Sequence, residues 1–153
     1  MQIKTNNVDK TMEIGKLLGS FLQNGDCICL DGDLGAGKTH LTKGIALGLG
    51  ILEDITSPTF TIVQEYDAAI RLFHFDVYRL SDEQELYEIG FSDYLKGNGA
   101  LVIEWASNVK NLLPPDRLEI HLSYTDKADE RILDIRATGN QSEILLEKLE
   151  KSL

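Results

Sequence analysis

The chain lacks several features that mark membrane and secreted proteins. It has no apolar run of about 18 residues, so a hydrophobic membrane-spanning helix is not expected. Residues 1–10 are polar and lack the apolar core of a signal peptide. The only two cysteines, Cys27 and Cys29, lie two residues apart on one predicted strand, where a disulfide is geometrically implausible and two ligands do not make a zinc site. We therefore expect two buried thiols in a cytoplasmic protein that makes no membrane contact.

Positive charge is also scarce. Lys and Arg total 15 against 25 Asp and Glu, which gives a formal net charge of −10. The basic residues are scattered rather than clustered. Because nucleic-acid binding draws much of its affinity from Lys and Arg that neutralise phosphates, this composition argues against a primary nucleic-acid binder. If the chain serves a nucleic-acid process, we expect another subunit to hold most of the nucleic acid.

The most informative segment is Gly-Asp-Leu-Gly-Ala-Gly-Lys-Thr at residues 32–39, here called the glycine-rich loop. It fits the pattern that cradles nucleotide phosphates, in which glycines let backbone N–H groups approach phosphate oxygens. Lys38 is predicted to reach the β- and γ-phosphates, and Thr39 to offer its hydroxyl to Mg²⁺. An apolar run at 26–30 predicts a buried strand before the loop, and the pattern at 39–49 predicts a helix after it. This order predicts a nucleotide site at the mouth of a helix.

The rest of the chain predicts one α/β domain of 153 residues, in three layers with a mixed sheet. The sequence pattern predicts a hairpin of strands at 59–66 and 70–77, an apolar strand at 100–105, and an antiparallel pair at 117–124 and 131–138. The predicted helices are 8–23, capped by Asn7, an acidic helix at 82–89 opened by a Ser81/Gln84 capping box, a short helix at 91–96, and a final helix at 141–152.

Two carboxylates end predicted apolar strands, Asp76 and Glu104. Ligands of open α/β sheets bind beyond the carboxyl ends of strands, so both are candidates for metal binding or for orienting water. The segment 57–61 (Ser-Pro-Thr-Phe-Thr) is either a stiff loop that reaches the γ-phosphate or an ordinary connection. Trp105 is either a wall of the site or core packing, and His74 is most simply structural.

In combination, these motifs resemble one family, the TsaE (YjeE) ATPases of bacterial tRNA N6-threonylcarbamoyladenosine (t6A) synthesis. The resemblance extends to about residue 136 and rests on the following motifs: the glycine-rich loop, Ser-Pro-Thr-Phe-Thr at 57–61, His-Phe-Asp-Val-Tyr-Arg-Leu at 74–80, Glu-Leu…Gly at 85–90 and Ile-Glu-Trp at 103–105. It implies a P-loop NTPase fold, slow hydrolysis of ATP with Mg²⁺, and partners TsaD and TsaB, with tRNA reached only through that complex.

The resemblance also implies roles for individual residues. Thr39 and Glu104 match the metal-binding positions, Asp76 an acid linked to hydrolysis, Trp105 an aromatic near the nucleotide, and Thr11 a threonine near the base. His40 departs from the small residue usual in the family, and we expect its side chain to face away from the metal. The predicted catalytic residues are Lys38, Asp76 and Glu104. The predicted nucleotide-binding residues are Thr11, Asp33, Leu34, Gly35, Ala36, Gly37, Lys38, Thr39, His40 and Trp105.

Three other functions are open from the residues alone. A small nucleoside or metabolite kinase shares the loop and fold class, although its arginine-rich lid has no counterpart among the few, scattered arginines. A GTP-dependent switch would carry Asn-Lys-X-Asp, whereas the nearest string, at 126–129, begins with Asp and predicts a polar turn. A nucleotide-gated binding module would differ from an ATPase only in its rate of turnover.

Overall fold

A computed structural model describes all 153 residues. The strands are β1 (Gln2–Thr5), β2 (Cys27–Gly32), β3 (Val63–Tyr66), β4 (Leu72–Asp76), β5 (Ala100–Glu104), β6 (Leu118–Tyr124) and β7 (Arg131–Ala137). The helices are α1 (Val8–Phe21), α2 (Lys38–Gly48), α3 (Glu83–Glu88), α4 (Phe91–Tyr94) and α5 (Asn140–Ser152), with a 3₁₀ segment at Ala106–Leu112.

All seven strands form one mixed sheet in the order β1-β7-β6-β2-β5-β4-β3. The central strands β6, β2, β5 and β4 are parallel, while β3 and the β7–β1 pair are antiparallel additions at the two edges. The carboxyl ends of β2, β5 and β4 therefore meet at one edge of the sheet. The register pairs Asp76 with Glu104, so the last residues of β4 and β5 are direct neighbours.

Helices cover the two faces of the sheet unequally. One face packs against α1, α2 and α5 and contains the larger hydrophobic cluster. The other face is covered by α3, α4 and the 3₁₀ segment, mainly over β4 and β5. The first four residues of β2 and all of β5 are buried on both faces, and all but Glu104 are apolar. Strands β6 and β7 instead alternate buried and more exposed residues, as expected for a sheet with one solvated face.

Helices α1 and α2 pack against each other through glycines. A methyl group on Gly19 would lie 2.1 Å from the Ile45 carbonyl oxygen, and one on Gly44 would lie 2.3 Å from the Met12 carbonyl oxygen. Such approach is possible only without a Cβ atom. The pairing holds α2, whose first turn follows the glycine-rich loop, directly against α1.

The predicted elements are confirmed in their order, and several boundaries differ. Asn7 caps α1 as predicted, since its side chain accepts a hydrogen bond from the Lys10 amide at 2.9 Å. The predicted strand at 59–66 is wrong over its first half: only 63–66 pairs with β4, and residues 59–62 form a turn.

The predicted Ser81/Gln84 capping box at the start of α3 is wrong, and the helix is capped one residue later. The N-cap is Asp82, whose side chain accepts from the Glu85 amide at 3.3 Å, because aspartate competes well with the neighbouring Ser81 for this position. The short polar strand β1 and the 3₁₀ segment were not predicted, since neither has a hydrophobic period of its own.

The cysteine prediction agrees with the structure. Cys27 and Cys29 are both free and buried, on the face of β2 that packs under the second cluster. No helix of the structure has the length and hydropathy needed to cross a membrane.

Candidate functional site

The glycine-rich loop connects the carboxyl end of β2 to the first turn of α2. Gly32, Gly35 and Gly37 have φ angles of 144°, 76° and 111°, a region that side chains rarely adopt. Gly37 is also the N-cap of α2 and offers no side-chain acceptor to the first N–H groups of the helix. The loop therefore presents unpaired helix donors and a positive dipole end, the arrangement that suits an anion.

Lys38 extends back across this loop. Its ammonium donates hydrogen bonds to the carbonyl oxygens of Gly32, at 2.5 Å, and Asp33, at 3.0 Å. It also lies 4.0 Å from the centre of the Trp105 ring, within cation–π range. Burial lowers the pKa of Lys38, and the nearby carboxylates, Glu104 foremost among them, oppose that shift. The site thus contains a partly desolvated cation that two carbonyl oxygens and one aromatic ring hold in place.

Glu104, the last residue of β5, lies beside the first turn of α2. It is only 2% exposed, and its Oε1 accepts a hydrogen bond from the Thr39 hydroxyl at 3.0 Å. Although 65 positions separate the two residues in sequence, they meet because the strand end and the helix start share one edge of the sheet. Their oxygens form a hard-donor pair of the kind that Mg²⁺ prefers.

Asp76, the last residue of β4, receives three hydrogen bonds. Its Oδ2 accepts from the hydroxyls of Ser57, at 2.8 Å, and Thr59, at 3.3 Å, while Oδ1 accepts from the Tyr78 amide at 3.0 Å. The segment 57–61 is therefore tied to the carboxylate. The tie is reinforced at Ile62, which has φ of 70° and whose carbonyl oxygen accepts from the Asp76 amide at 2.8 Å. A β-branched residue at positive φ is strained, so the surrounding contacts must hold it there.

Trp105 follows Glu104 and turns the chain out of the sheet. The predicted strand at 100–105 ends one residue early because Trp105 has φ of 63°, although its amide still donates to the Leu30 carbonyl oxygen at 2.9 Å. Its ring lies against Tyr78, with centroids 4.7 Å apart. Trp105 therefore forms a wall of the site rather than part of the core.

These side chains surround one cleft of about 300 Å³. Its lining residues are Leu34, Gly35, Gly37, Lys38, Thr39, His40, Ser57, Thr59, Asp76, Tyr78, Glu104 and Trp105. Of the residues named from sequence, the cleft thus brings together all three predicted catalytic residues, both predicted metal ligands and Trp105.

Four more predicted nucleotide-binding residues, Leu34, Gly35, Gly37 and His40, also line the cleft, whereas Thr11, Asp33 and Ala36 do not. Thr11 is buried in α1 and lines a second, smaller cavity of about 70 Å³, on the other side of Gly35, Gly37 and His40, which border both cavities. Asp33 is exposed and lines neither cavity. Ala36 is fully buried, so only its backbone can face a ligand.

No group of three or more His, Cys, Asp or Glu side chains in the chain is arranged to hold a metal ion by itself. A divalent ion here would depend on Thr39, Glu104, water and oxygens of a ligand. This limited donor set fits Mg²⁺, which usually keeps several waters and takes one or two carboxylates together with phosphates.

The structure also brings in residues that the sequence did not identify. His74 is fully buried, and its Nε2 lies 2.5 Å from Glu104 Oε2. The sequence alone favours a structural role for His74, although a lone polar residue in the apolar run of β4 is an available signal.

A second unpredicted contact comes from the hairpin of β6 and β7. The Tyr124 hydroxyl donates to the Leu34 carbonyl oxygen, and Arg131 Nε donates to the Ala36 carbonyl oxygen at 3.2 Å. Arg131 also stacks on the Tyr124 ring, 4.5 Å from its centre. The hairpin therefore braces the outer side of the glycine-rich loop, and nothing in the local sequence signals this long-range contact.

Together the fold and the site define a class of protein. A mixed sheet between helical layers, with a glycine-rich loop that leads from a central parallel strand into a helix, is the fold of P-loop nucleoside triphosphatases. The model of the family described as "Threonylcarbamoyl adenosine biosynthesis protein TsaE" matches residues 5–133. The chain belongs to this TsaE family.

Individual relatives agree with this assignment. The protein named "tRNA threonylcarbamoyladenosine biosynthesis protein TsaE" from Bacillus subtilis is 44% identical over 149 residues, which cover 97% of this chain and 92% of that protein. A protein of the same name from Treponema pallidum is 41% identical over 122 residues, which cover 80% of this chain and 90% of the relative.

A solved structure extends the similarity to the fold. The crystal structure of YdiB from Bacillus subtilis superposes with a TM-score of 0.87 at 39% sequence identity, covering 99% of this chain and 95% of that one. The likeness therefore spans the whole sheet and both helical layers.

Proposed function

We propose that this chain is the ATP-binding and ATP-hydrolysing component of the tRNA t6A modification machinery, that it acts with Mg²⁺, and that its partners are TsaD and TsaB. The names of its relatives support the pathway. One observation carries the activity: Lys38, Thr39, Asp76 and Glu104, from three separate parts of the chain, line a single cleft at the carboxyl edge of the sheet.

Each of these residues has a distinct part in the proposed reaction. The loop amides and the Lys38 ammonium bind the phosphates. To reach them, the ammonium exchanges its hydrogen bonds to the carbonyl oxygens of Gly32 and Asp33 for bonds to phosphate oxygens. Thr39 and Glu104 are the residues that would hold Mg²⁺, which would neutralise charge on the β- and γ-phosphates when bound. Asp76 accepts the proton of the attacking water or orients it, while Ser57 and Thr59 hold the carboxylate in place.

The chemistry is phosphoryl transfer to water, so catalysis rests on positioning and charge rather than on a covalent intermediate. The Trp105 ring covers the Lys38 ammonium and excludes water from one side of it. A partly desolvated cation interacts more strongly with a developing negative charge than a hydrated one does. Hydrolysis by the chain alone is expected to be slow, and the partners are expected to accelerate it.

Substitution of Lys38 tests the site. Lys38→Ala is expected to weaken ATP binding and to lower phosphate release by about 10²-fold or more, because a preorganised positive charge is lost from the transition state. ATP binding can be followed by the fluorescence of Trp105, the only tryptophan of the chain. Lys43→Ala is the matched control, because it removes the same charge from the same helix at a position outside the cleft.

Two further measurements separate this function from its rivals. Release of inorganic phosphate without any added acceptor distinguishes an ATPase from a metabolite kinase. Formation of t6A on tRNA by purified TsaD and TsaB, with native chain or Lys38→Ala, tests the pathway. Unchanged nucleotide binding and turnover in Lys38→Ala would reject the site, and t6A formation that is equally efficient without the chain would reject the pathway.

A further inference from the structure

Glu104 is a buried carboxylate that needs hydrogen-bond donors. At 2% exposure it has almost no water, and an ionised carboxylate in such a place is costly unless it is paired or hydrogen-bonded. Three donors lie within reach: the Thr39 hydroxyl at 3.0 Å from Oε1, and the Thr42 hydroxyl at 3.4 Å and His74 Nε2 at 2.5 Å from Oε2.

The Thr42 hydroxyl cannot satisfy Oε2. It has a single hydrogen, and it lies closer to the Lys38 carbonyl oxygen, at 2.9 Å, than to Glu104. That carbonyl belongs to the preceding helical turn, a common acceptor for a helical threonine. His74 is therefore the one full donor to Oε2.

The surroundings of His74 determine which ring nitrogen carries the hydrogen. Beside an ionised Glu104, Nε2 must be the donor, because two lone pairs 2.5 Å apart would repel. Nδ1 is buried and has no hydrogen-bond partner. A buried N–H without an acceptor would cost free energy, so Nδ1 without hydrogen is the favoured state. The ring thus presents one donor, aimed at Glu104.

We propose that His74 is a positioning residue for Glu104. By holding Oε2 through its Nε2–H, it fixes the carboxylate plane and directs Oε1 at Thr39, the other predicted metal ligand. This inference rests on the proposed function, and it deepens that function by naming the residue that orients the carboxylate. Partners that orient metal ligands commonly contribute 10–100-fold to metal affinity.

The test measures how much Mg²⁺ improves ATP affinity, using Trp105 fluorescence with Mg²⁺ and again with EDTA. His74→Leu removes the donor and largely keeps the side-chain volume. The gain from Mg²⁺, that is, the ratio of ATP affinity with Mg²⁺ to ATP affinity in EDTA, is expected to fall roughly tenfold or more, while the affinity in EDTA changes little. His74→Gln keeps an N–H near the position of Nε2 and is expected to restore most of the gain. Phe73→Leu, on the opposite face of the same strand, is the control for a buried substitution and should keep the full gain.

A second measurement uses the nucleotide-free protein. Long-range ¹H–¹⁵N NMR of the native chain is expected to show His74 with hydrogen on Nε2 and none on Nδ1. Glu104→Gln is expected to move the Nε2–H resonance, because its acceptor changes from a carboxylate to an amide oxygen. If His74→Leu does not fold, this spectrum and the His74→Gln variant still decide the question.

The outcomes separate this inference from the proposed function. If the native chain does not bind ATP, or binds it with an affinity that Mg²⁺ does not change, the proposed function and this inference are both rejected. A native chain with a clear Mg²⁺ gain that His74→Leu retains rejects the inference alone. Equal losses with and without Mg²⁺, or hydrogen found on Nδ1, also overturn it.

Discussion

Two neighbouring carboxylates illustrate how environment divides roles between similar side chains. Asp76 and Glu104 are register partners at the ends of adjacent parallel strands, and both are nearly buried. Glu104 is bonded toward α2 through Thr39, whereas Asp76 is bonded toward the 57–61 segment through Ser57 and Thr59. One carboxylate is thus directed at the predicted metal position and the other at the 57–61 segment.

This difference predicts the effect of Asp76→Asn. The amide keeps the size of the side chain but cannot accept a proton, so phosphate release is expected to fall by about 10²-fold or more. ATP affinity is expected to stay close to that of the native chain, since Asp76 has no predicted role in holding the phosphates. Single-turnover phosphate release and a Trp105 fluorescence titration check the two parts separately.

The control for this substitution is Asp67→Asn, an exposed aspartate in the connection that precedes β4. It should leave both turnover and affinity unchanged. Native-like turnover in Asp76→Asn would show that the carboxylate does not act on water.

At the level of elements, the position of the site depends on the contact between α1 and α2. Gly15 and Gly19 on α1 and Gly44 and Gly48 on α2 each lie where a methyl group would come within 3.0 Å of the partner helix backbone. Both helices carry glycines four residues apart, so they lie on one face of each helix. Since α2 begins at Lys38, this contact also sets the direction of the glycine-rich loop relative to Thr11 on α1.

Gly44→Ala is therefore expected to destabilise the protein. In an isolated helix, alanine is more favourable than glycine by about 1 kcal/mol. Here, however, its methyl group would lie 2.3 Å from the Met12 carbonyl oxygen, and a backbone atom cannot move aside at low cost. The clash outweighs the propensity, and we expect a net loss of about 1–3 kcal/mol. The thermal midpoint should fall by about 2–4 °C per kcal/mol, as measured by circular dichroism.

Lys43→Ala, on the same helix, provides the comparison and should leave the midpoint nearly unchanged. An equal or higher midpoint for Gly44→Ala would mean that the two helices can separate without cost. Nucleotide affinity of the variant should also fall, because α2 holds Lys38 and Thr39.

The β6–β7 pair carries a cross-strand ion cluster whose effect on stability depends on pH with a defined sign. Burial alone would raise the pKa of Glu119, but hydrogen bonds from Arg136 and Arg117 outweigh it and lower the pKa below its ordinary value of 4.5. The folded state therefore prefers ionised Glu119 more than the unfolded state does. Its stabilising contribution is fully present above pH 4.5 and is lost as the pH falls through the lowered pKa.

Urea unfolding of Glu119→Gln against pH tests this linkage. The free energies of unfolding of the native chain and the variant should differ most above pH 4.5, and the difference should shrink in more acidic solution. The difference should not exceed about 1 kcal/mol, because the ion pair is partly exposed to solvent. Glu147→Gln, an exposed position in α5 without an ion pair, should show no such trend. A difference that grows toward low pH would contradict the sign.

On the scale of the whole molecule, net charge limits which partners the chain can hold alone. With 25 acidic and 15 basic residues, it has little capacity to neutralise a phosphate backbone. Three of its five arginines are engaged with its own carboxylates, Arg71 with Glu65 and Asp67, and Arg117 and Arg136 with Glu119.

We therefore expect no binding of tRNA by the chain alone at physiological salt and about 10 μM protein. Non-specific nucleic-acid binders usually associate at protein concentrations in this range. Fluorescence anisotropy of labelled tRNA measures this directly. Addition of TsaD and TsaB is expected to produce binding, since the basic surface would belong to them. Tight association of tRNA with the chain alone, weakened steeply by salt, would contradict this expectation.

Local sequence was sufficient for the parts of this protein that depend on neighbouring residues. The order of strand, glycine-rich loop and helix, and the placement of Asp76 and Glu104 at strand ends, follow from hydrophobic runs and from residue spacing. Parallel strands bring their carboxyl ends to one edge of a sheet, so even the meeting of Thr39 with Glu104 could be anticipated. Residues 59–62 alternate polar and apolar side chains, a pattern that predicts a strand. In the structure they form a turn, and Thr59, together with Ser57, is hydrogen-bonded to Asp76.

Only the tertiary structure decided contacts that depend on register between distant segments. The approach of His74 to Glu104 requires that β4 and β5 pair in one particular alignment, since a shift of a single residue would turn His74 to the opposite face. The hydrogen bond from Tyr124 to the glycine-rich loop and the close approach of Gly44 to the backbone of α1 likewise depend on how whole elements pack. Such contacts join residues tens of positions apart, so no local pattern records them, and the free energy of the complete fold selects them.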